Sequence, residues 1–525
     1  MPAWSSAITV RRRAGATAVA VLGAALFGLW WSCSAAQSGQ YDDAIVPLLM
    51  SLLRWTPFYW SEYRYGMLVP LLTAACRDPF TVFVVQNAVT AGLGLAAIVM
   101  LSVYFDRRHG VTAGLVAATL FVALCPPALR FDYLAPSQPY GTALALALAA
   151  LFVVRGAVRR RSWWWLLPAL LLVAAAHWVN PTVSLVLAPT LLIRAGLSPP
   201  PEACLSASPA WRRWPRALAK RLGAEGTLGL AMLAVVTLAA WSWLKLHGDR
   251  APLGFGDLRA WGPGLVEMAR SLTAATNGAI WAGSWLLAFG GLAAWARARR
   301  FGVSRDPPGL EQGPWEWPSA AALGICGVGY VLLVAHLRWV QMNHHALRYA
   351  LPGLIAIQAG AASVMVRAGS RRLFAAGRLL PGSVVAALVL VLAASIGLPE
   401  PTLLRARLQA RLGRATPELR QLGCTHLMGA YGNVWPAVFA GRLDRYERQD
   451  QTPLWGITFR AAATEALWRA LPERDWRLCV FQDDPDVPRT ARGFALQGFV
   501  PVAAGAVLAL WQKAEQALYA EPPRE

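Results

Sequence analysis

Two adjacent carboxylates, Asp42 and Asp43, stand at the head of QYDDAIVPLLMSLLRWTPFYWSEYRYGMLVPLL, residues 40–72. They follow the first apolar run. Behind them come an aromatic cluster (Trp55, Phe58, Tyr59, Trp60, Tyr63, Tyr65) and the charges Arg54, Glu62 and Arg64. A carboxylate beside a low-dielectric interface is suited to accept a proton at neutral pH, so one reading of the pair is a general base. The other is a helix N-terminus decorated with acids, where negative charge meets the positive end of the helix dipole.

A second acid, Asp132, lies in LCPPALRFDYLAPSQPYG (124–141). It reads either as a loop acid paired with Arg130 or, with the first pair, as a ligand for a divalent cation. The third constellation is HLRWVQMNHHALRYALPG (336–353), with Arg338, His344, His345, Arg348 and Tyr349. Arginine presents a planar fork of donors that matches phosphate. Long basic side chains also reach to lipid headgroups from helix ends, which is the plainer reading. His344 and His345 are adjacent and lack the HxxxH spacing of a metal pair.

The elements that must position these residues are membrane helices. The chain has 525 residues, 56% of them hydrophobic and 15% charged, and its mean hydropathy is +0.41. Soluble domains carry about a quarter charged residues. Apolar runs long enough to span recur at 14–31, 80–104, 111–127, 140–154, 163–178, 180–194, 227–246, 277–296, 319–336, 347–366 and 382–398,. The fold class expected is mostly α: a polytopic helical bundle of about eleven spans over 1–399, with a small α/β domain at 400–525. Amphipathic segments at 42–66 are expected to lie in the interface plane. Asn180-Pro181 breaks the chain between the fifth and sixth spans, and that corner re-enters the bilayer.

Charge orders the spans. The formal net charge is +21, and the basic clusters precede the first span or follow an even-numbered one. By the positive-inside rule that face is cytoplasmic, so the charge reads as topology and not as a nucleic-acid footprint. Asp42, Asp43, Asp132, Asp257, His344 and His345 fall on the opposite face. The tail is then extracytoplasmic, where Cys424 and Cys479 could pair. Within it, Leu403–Leu419 and Ala461–Leu471 read as helices, and Trp476–Phe481 and Ala503–Trp511 as strands. The seven cysteines show no CxxC spacing, and no P-loop, GxGxxG after a strand, or GxSxG occurs.

An acid after the first span, an aromatic loop, the PP…PY entry to the fourth span (Pro126, Pro127, Pro139, Tyr140), the WxNP corner at 178–181 and the RYxxP entry at 348–352 together resemble the GT-C superfamily. More narrowly the chain is similar to bacterial relatives of the protein O-mannosyltransferases and of the lipid A aminoarabinose transferases. The resemblance covers roughly 10–400, and Asp-Asp replaces the usual Asp-Glu. It implies an inner-membrane transferase that moves a sugar from a polyprenyl-phosphate carrier to a lipid, glycan or protein acceptor outside the cytoplasm. Asp42 or Asp43 would be the base, Asp132 the second-loop acid, and Arg338 and Arg348 the phosphate ligands. His344, His345, Tyr349, Tyr63 and Arg64 join the expected substrate-binding set. Rival readings are a lipid or anion transporter, which predicts buried charge mid-span and repeat halves, and a non-catalytic membrane scaffold.

Overall fold

The computed structural model describes residues 22–34, 37, 42–60, 65–106, 109–136, 139–198, 210–246, 254–300, 317–373, 389–391, 393–458, 475–482 and 498–513. The fold is mostly helical, with a small sheet near the C-terminus. In chain order the elements used below are α1 (Asp42–Leu52), α2 (Pro79–Phe105), α3 (Gly110–Leu124), α4 (Pro127–Leu134), α5 (Tyr140–Arg160), α6 (Leu166–Val179), α7 (Ser184–Leu197), α8 (Ala210–Leu246), α9 (Leu258–Thr273), α10 (Thr276–Arg300), α11 (Trp317–Ala335), α12 (Leu351–Leu373), α13 (Pro401–Leu412), α14 (Thr416–Gln421) and α15 (Tyr431–Glu447). The strands are β1 (His426–Met428), β2 (Trp455–Ile457), β3 (Leu478–Phe481), β4 (Phe499–Ala504) and β5 (Leu508–Lys513). The chain divides into two compact units, residues 1–28 with 90–397, and 29–89 with 398–525.

The first unit is helical. Among the described residues, five helices of the chain are long and apolar enough to cross a membrane: Pro79–Phe105, Tyr140–Arg160, Arg221–Trp243, Trp317–Ala335 and Leu347–Ala368. The expected count of about eleven is not reached, for local reasons. The third expected span stops at Leu124, because Cys125 is extended and Pro127 starts a new helix. The fifth and sixth fold as one broken pair, Trp163–Val179 and Pro181–Leu197, bent by 112°. Asn180 makes that bend: its carboxamide oxygen accepts from Thr182 N at 3.1 Å and caps the next turn,. Residues 14–21 of the segment expected at 14–31, residues 382–388 and 392 of that expected at 382–398, and all of Ala461–Leu471 lie outside the described residues.

Helices α11 and α12 pack closely through glycine. A Cβ on Gly327 would stand 2.5 Å from the Gly353 carbonyl oxygen, and one on Gly353 would stand 2.6 Å from that of Gly327. Small residues that let backbones meet are how helices associate where lipid removes the hydrophobic drive.

The second unit is built as a water-soluble domain is. Its sheet runs β2-β1-β3-β5-β4. β1 pairs with β2 and β3 in parallel, and β5 pairs with β3 and β4 antiparallel. The parallel β1–β2 pair needs a crossover, which α15 supplies. Ile45, Leu48 and Leu49 of α1 share one core with Leu404 and Leu408 of α13 and Trp435, Val438 and Phe439 of α15. A disulfide joins Cys424 and Cys479.

Two expectations are corrected here. From Ala44 to Ser51 every residue of α1 is buried, so the helix is a core element of this unit and not one lying on a membrane surface. Its other faces carry Ala44, Val46 and Met50, so apolar side chains surround the axis, as in a buried helix. Ala503–Trp511 is also not one strand. Gly505–Val507 turns the chain between β4 and β5, and the Glu418 carboxylate accepts from the amides of Ala506, Val507 and Leu508 at 2.8–3.1 Å. A side chain on Gly505 would collide with that carboxylate.

Candidate functional site

The first unit gathers the basic loop. After α11 the chain makes a short helix, Arg338–Met342, and a 3-10 turn, Leu347–Ala350. The segment entering α9 fastens it. Gly256 N donates to His336 O at 2.7 Å, and Arg338 N to Gly254 O at 2.9 Å. The Gln341 carboxamide then grips the backbone of Asp257, accepting from its N–H and donating to its carbonyl, each at 2.9 Å. Asp257 is thereby placed to cap α9, its carboxylate accepting from Arg259 N at 2.8 Å. Its carboxylate is used by the helix end, and no chemistry need be assigned to it.

Within the loop, Tyr349 is buried and its hydroxyl accepts from Trp339 Nε1 at 3.1 Å. The Arg348 guanidinium lies 5.3 Å over the Tyr349 ring and reaches the same hydroxyl at 3.5 Å. The aromatic face and the fixed hydroxyl restrain a side chain that is otherwise long and mobile. Arg338 and His344 are exposed. His344 and His345 both adopt left-handed backbone, with φ of 53° and 52°, a strained arrangement for two successive residues with side chains. The His345 ring packs on Gly264 of α9, where any Cβ would clash with it. Its Nε2 is enclosed and has no hydrogen-bond partner among the described residues.

Asp132 is half-buried on α4, and α4 packs against the Leu347–Ala350 turn. The structure thus brings the second-loop acid's helix to the turn that carries Arg348 and Tyr349. Arg130 is not the partner of Asp132. It is buried and donates to the Val122 carbonyl in the last turn of α3. Residues two apart on a helix point to different sides. Burial lowers the pKa of the guanidinium, and the carbonyl it meets is one that the end of α3 leaves unpaired.

Asp42 and Asp43 belong to the second unit. Asp42 opens α1, and Asp43 sits half-buried in its first turn. The aromatic segment behind them is packed. Trp55 Nε1 donates to Met67 O at 2.8 Å, the Trp60 and Trp435 rings lie 5.5 Å apart, and the Tyr59 and Tyr431 hydroxyls bond to each other. Tyr63 and Arg64 lie outside the described residues. Among the described residues no three His, Cys, Asp or Glu side chains come together to hold a metal ion, so no step is assigned to a divalent cation.

Sequence reasoning passed over Trp339 and Gln341, which brace the basic loop. Nothing in their spacing marks them, since their partners lie in another segment or ten residues on. No family model matches the sequence, and no curated protein matches it. Among solved structures, the oligosaccharyltransferase of Archaeoglobus fulgidus in complex with zinc and sulfate matches with a TM-score of 0.36 and 10% identity, over 89% of this chain and 68% of that one. The apo form of the same enzyme matches with a TM-score of 0.34 and 12% identity, over 84% and 64%. A likeness this loose says nothing about substrate, and the functional reading rests on the residues.

Proposed function

We propose that this chain is an integral membrane glycosyltransferase that moves a sugar from a polyprenyl-phosphate carrier to a lipid, glycan or protein acceptor outside the cytoplasm. The observation that carries the reading is Arg348, a guanidinium held against the Tyr349 ring and hydroxyl in a loop that also bears Arg338, His344 and His345. Arginine so restrained offers its fork of donors at little further loss of freedom, which favours a phosphate oxygen as the partner.

The reaction follows from that assignment. An acceptor hydroxyl attacks the anomeric carbon, the bond to the carrier phosphate breaks, and the configuration inverts. Arg338 and Arg348 meet the negative charge that develops on the departing phosphate. The hydroxyl proton goes to a carboxylate, a role given to Asp42 or Asp43. The N-terminus is placed in the cytoplasm and the tail outside it. The Cys424–Cys479 disulfide supports that side, because disulfides persist in oxidising compartments.

Mass spectrometry of envelope lipids tests the reading. A deletion strain should accumulate one polyprenyl-phosphate sugar, and the wild-type gene should clear it. Asp42→Asn and Asp43→Asn, singly and together, should identify the base by failing to clear it while the protein still reaches the membrane. Unchanged carrier-lipid sugars in the deletion strain would end the proposal.

A further inference from the structure

The hairpin that joins α5 to α6 takes no part in the proposed transfer. It sets three arginines and three tryptophans on either side of one serine, RRRSWWW at 159–165. Arg159 and Arg160 end α5, Arg161 reverses the chain, and Trp163–Trp165 form a 3-10 turn that leads into α6. Two backbone bonds close the reversal: Arg161 N donates to Val158 O at 3.3 Å, and Ser162 N to Ala157 O at 3.0 Å. That pair is the Schellman ending of a helix, in which the left-handed residue is usually glycine. Here it is Arg161, with a φ of 53°. A charged side chain thus stands where glycine would be less strained.

All six of these side chains are exposed, Trp164 by 88%. Three neighbouring indoles left open to water would be a liability. None of the three guanidiniums has an ion-pair partner among the described residues, and the sequence holds no acid between Asp132 and Glu202. The helix dipole favours cations in the last turn of α5, but it accounts neither for Arg161, which lies beyond that turn, nor for the tryptophans. Depth says what covers them. α5 has 21 residues, which is about 31 Å of helix, and the hydrocarbon of a bilayer is about 30 Å thick. A helix that just crosses it sets its last turn among the headgroups. Indoles collect at that level, and guanidiniums fork onto phosphate oxygens. Three positive charges with no acid beside them favour a headgroup of net negative charge over one that carries its own ammonium.

We propose that the RRRSWWW turn is a docking site for anionic glycerophospholipid. Arg159, Arg160 and Arg161 hold the phosphate and the negative headgroup, and Trp163, Trp164 and Trp165 seat the turn at the boundary with the acyl chains. The proposal needs only that α5 crosses the membrane, and it stands whether or not the chain transfers sugar. On the topology proposed above, the leaflet is the cytoplasmic one.

The test uses the full chain in nanodiscs of equal parts phosphatidylglycerol and phosphatidylcholine. A fluorescent amino acid placed at Ser162 by amber suppression reads this turn alone, and brominating one lipid or the other gives the quenching by each. Phosphatidylglycerol should be favoured about fivefold, the attraction of one arginine to an anionic surface. Arg159→Gln, Arg160→Gln and Arg161→Asn together should bring that ratio to about one. Trp163→Ala, Trp164→Ala and Trp165→Ala together should cut the quenching by both lipids to about half. Changing Arg407, Arg411 and Arg414, exposed arginines of the sheet-bearing unit, to glutamine removes the same charge and should leave the ratio as it was. Thermal unfolding reports whether each variant stands. If the triple arginine variant does not fold, Arg159→Gln and Arg160→Gln decide singly, each lowering the ratio about 1.7-fold, an equal share of fivefold. A wild-type ratio near one, or a ratio that survives loss of the arginines, overturns the proposal. A ratio lost equally when the sheet-bearing unit is changed shows an effect of net charge and overturns the site. A preference abolished by inorganic phosphate, and not by chloride at the same ionic strength, makes free phosphate the ligand and overturns the lipid. Quenching that the tryptophan changes leave intact overturns the part given to the indoles.

Discussion

The two units of this chain solve the same packing problem for two solvents. In the sheet-bearing unit the large apolar side chains turn inward: Trp435, Phe439 and Phe499 are each 1% exposed or less. In the helical unit many of them face out. Leu287 of α10 is 79% exposed and Leu238 of α8 is 67% exposed, while α11 and α12 meet on bare glycine. A water-facing surface of that kind would be an aggregation hazard. Against lipid it is ordinary, and contact between helices must come from close backbone approach instead. The same residue type therefore does opposite work in the two units, and substitutions can show it.

The largest effect should come from one truncation made in both. Phe439→Ala empties a site in the core around α15 and should cost about 3–5 kcal/mol. Leu287→Ala removes a side chain that touches little protein and should stay within about 0.5 kcal/mol. Urea titration followed by a probe confined to each unit measures both. Equal costs would dissolve the contrast between the two solvents.

The disulfide sharpens the comparison from the side of covalent chemistry. Cys424 and Cys479 lie 55 residues apart and close a loop through three strands of the sheet. Replacing both with serine should cost the sheet-bearing unit about 4 kcal/mol, from the loop-closure entropy returned to the unfolded chain. Reductant should reproduce the loss in wild type and do nothing further to the variant. The helical unit, whose described cysteines are free, should unfold at the same temperature in all four samples.

Arg348→Lys belongs to the helical unit and should act on ligand instead of fold. Lysine keeps the charge and loses the planar fork, and it also leaves the Tyr349 ring less well covered. Affinity for a lipid phosphate should fall about tenfold, or about 1.4 kcal/mol, with thermal stability unchanged. Isothermal titration against wild type reads the first and calorimetry the second.

The long apolar helices of the first unit were legible because hydropathy needs no partner to be read, whereas α4, with eight residues, and the amphipathic α9 fell in stretches read as loops. The break at Pro181 was legible too, since proline acts through its own backbone, but the one before Pro127 was not, and the third expected span ran past Leu124, where the helix ends. The sheet was harder. β1 and β2 are three residues each, too short to show alternation, and α15 carries Pro436 inside it. Asp42 was recognisable as a helix start, yet the burial of α1 was not, because its partners Leu404 and Phe439 lie more than three hundred residues on. The basic loop was visible as a cluster of residue types. What steadies it was not, because Gln341 acts on the backbone of Asp257 and Trp339 donates to the Tyr349 hydroxyl ten residues on, and neither choice leaves a mark in composition.

The smallest expected effect tests the sheet-bearing unit at its surface. Asp450 accepts from Thr452 N at 2.9 Å, and the side-chain hydrogen bond with Thr452 does most to hold its carboxyl below the usual carboxylate range, with Arg445 and Arg448 adding to it. A carboxylate whose folded pKa is depressed stabilises the fold above its unfolded value, near 4, and that stability is lost as pH falls through the lower, folded value. Asp450 is partly exposed, so solvent screens the gain to well under about 1 kcal/mol. Asp450→Asn should therefore lower the unfolding midpoint slightly at pH 7, and the difference should shrink as pH is lowered towards 2 and the wild-type carboxyl takes up its proton,. A variant less stable by the same amount at both pH values would mean that Asp450 acts by packing and not by charge.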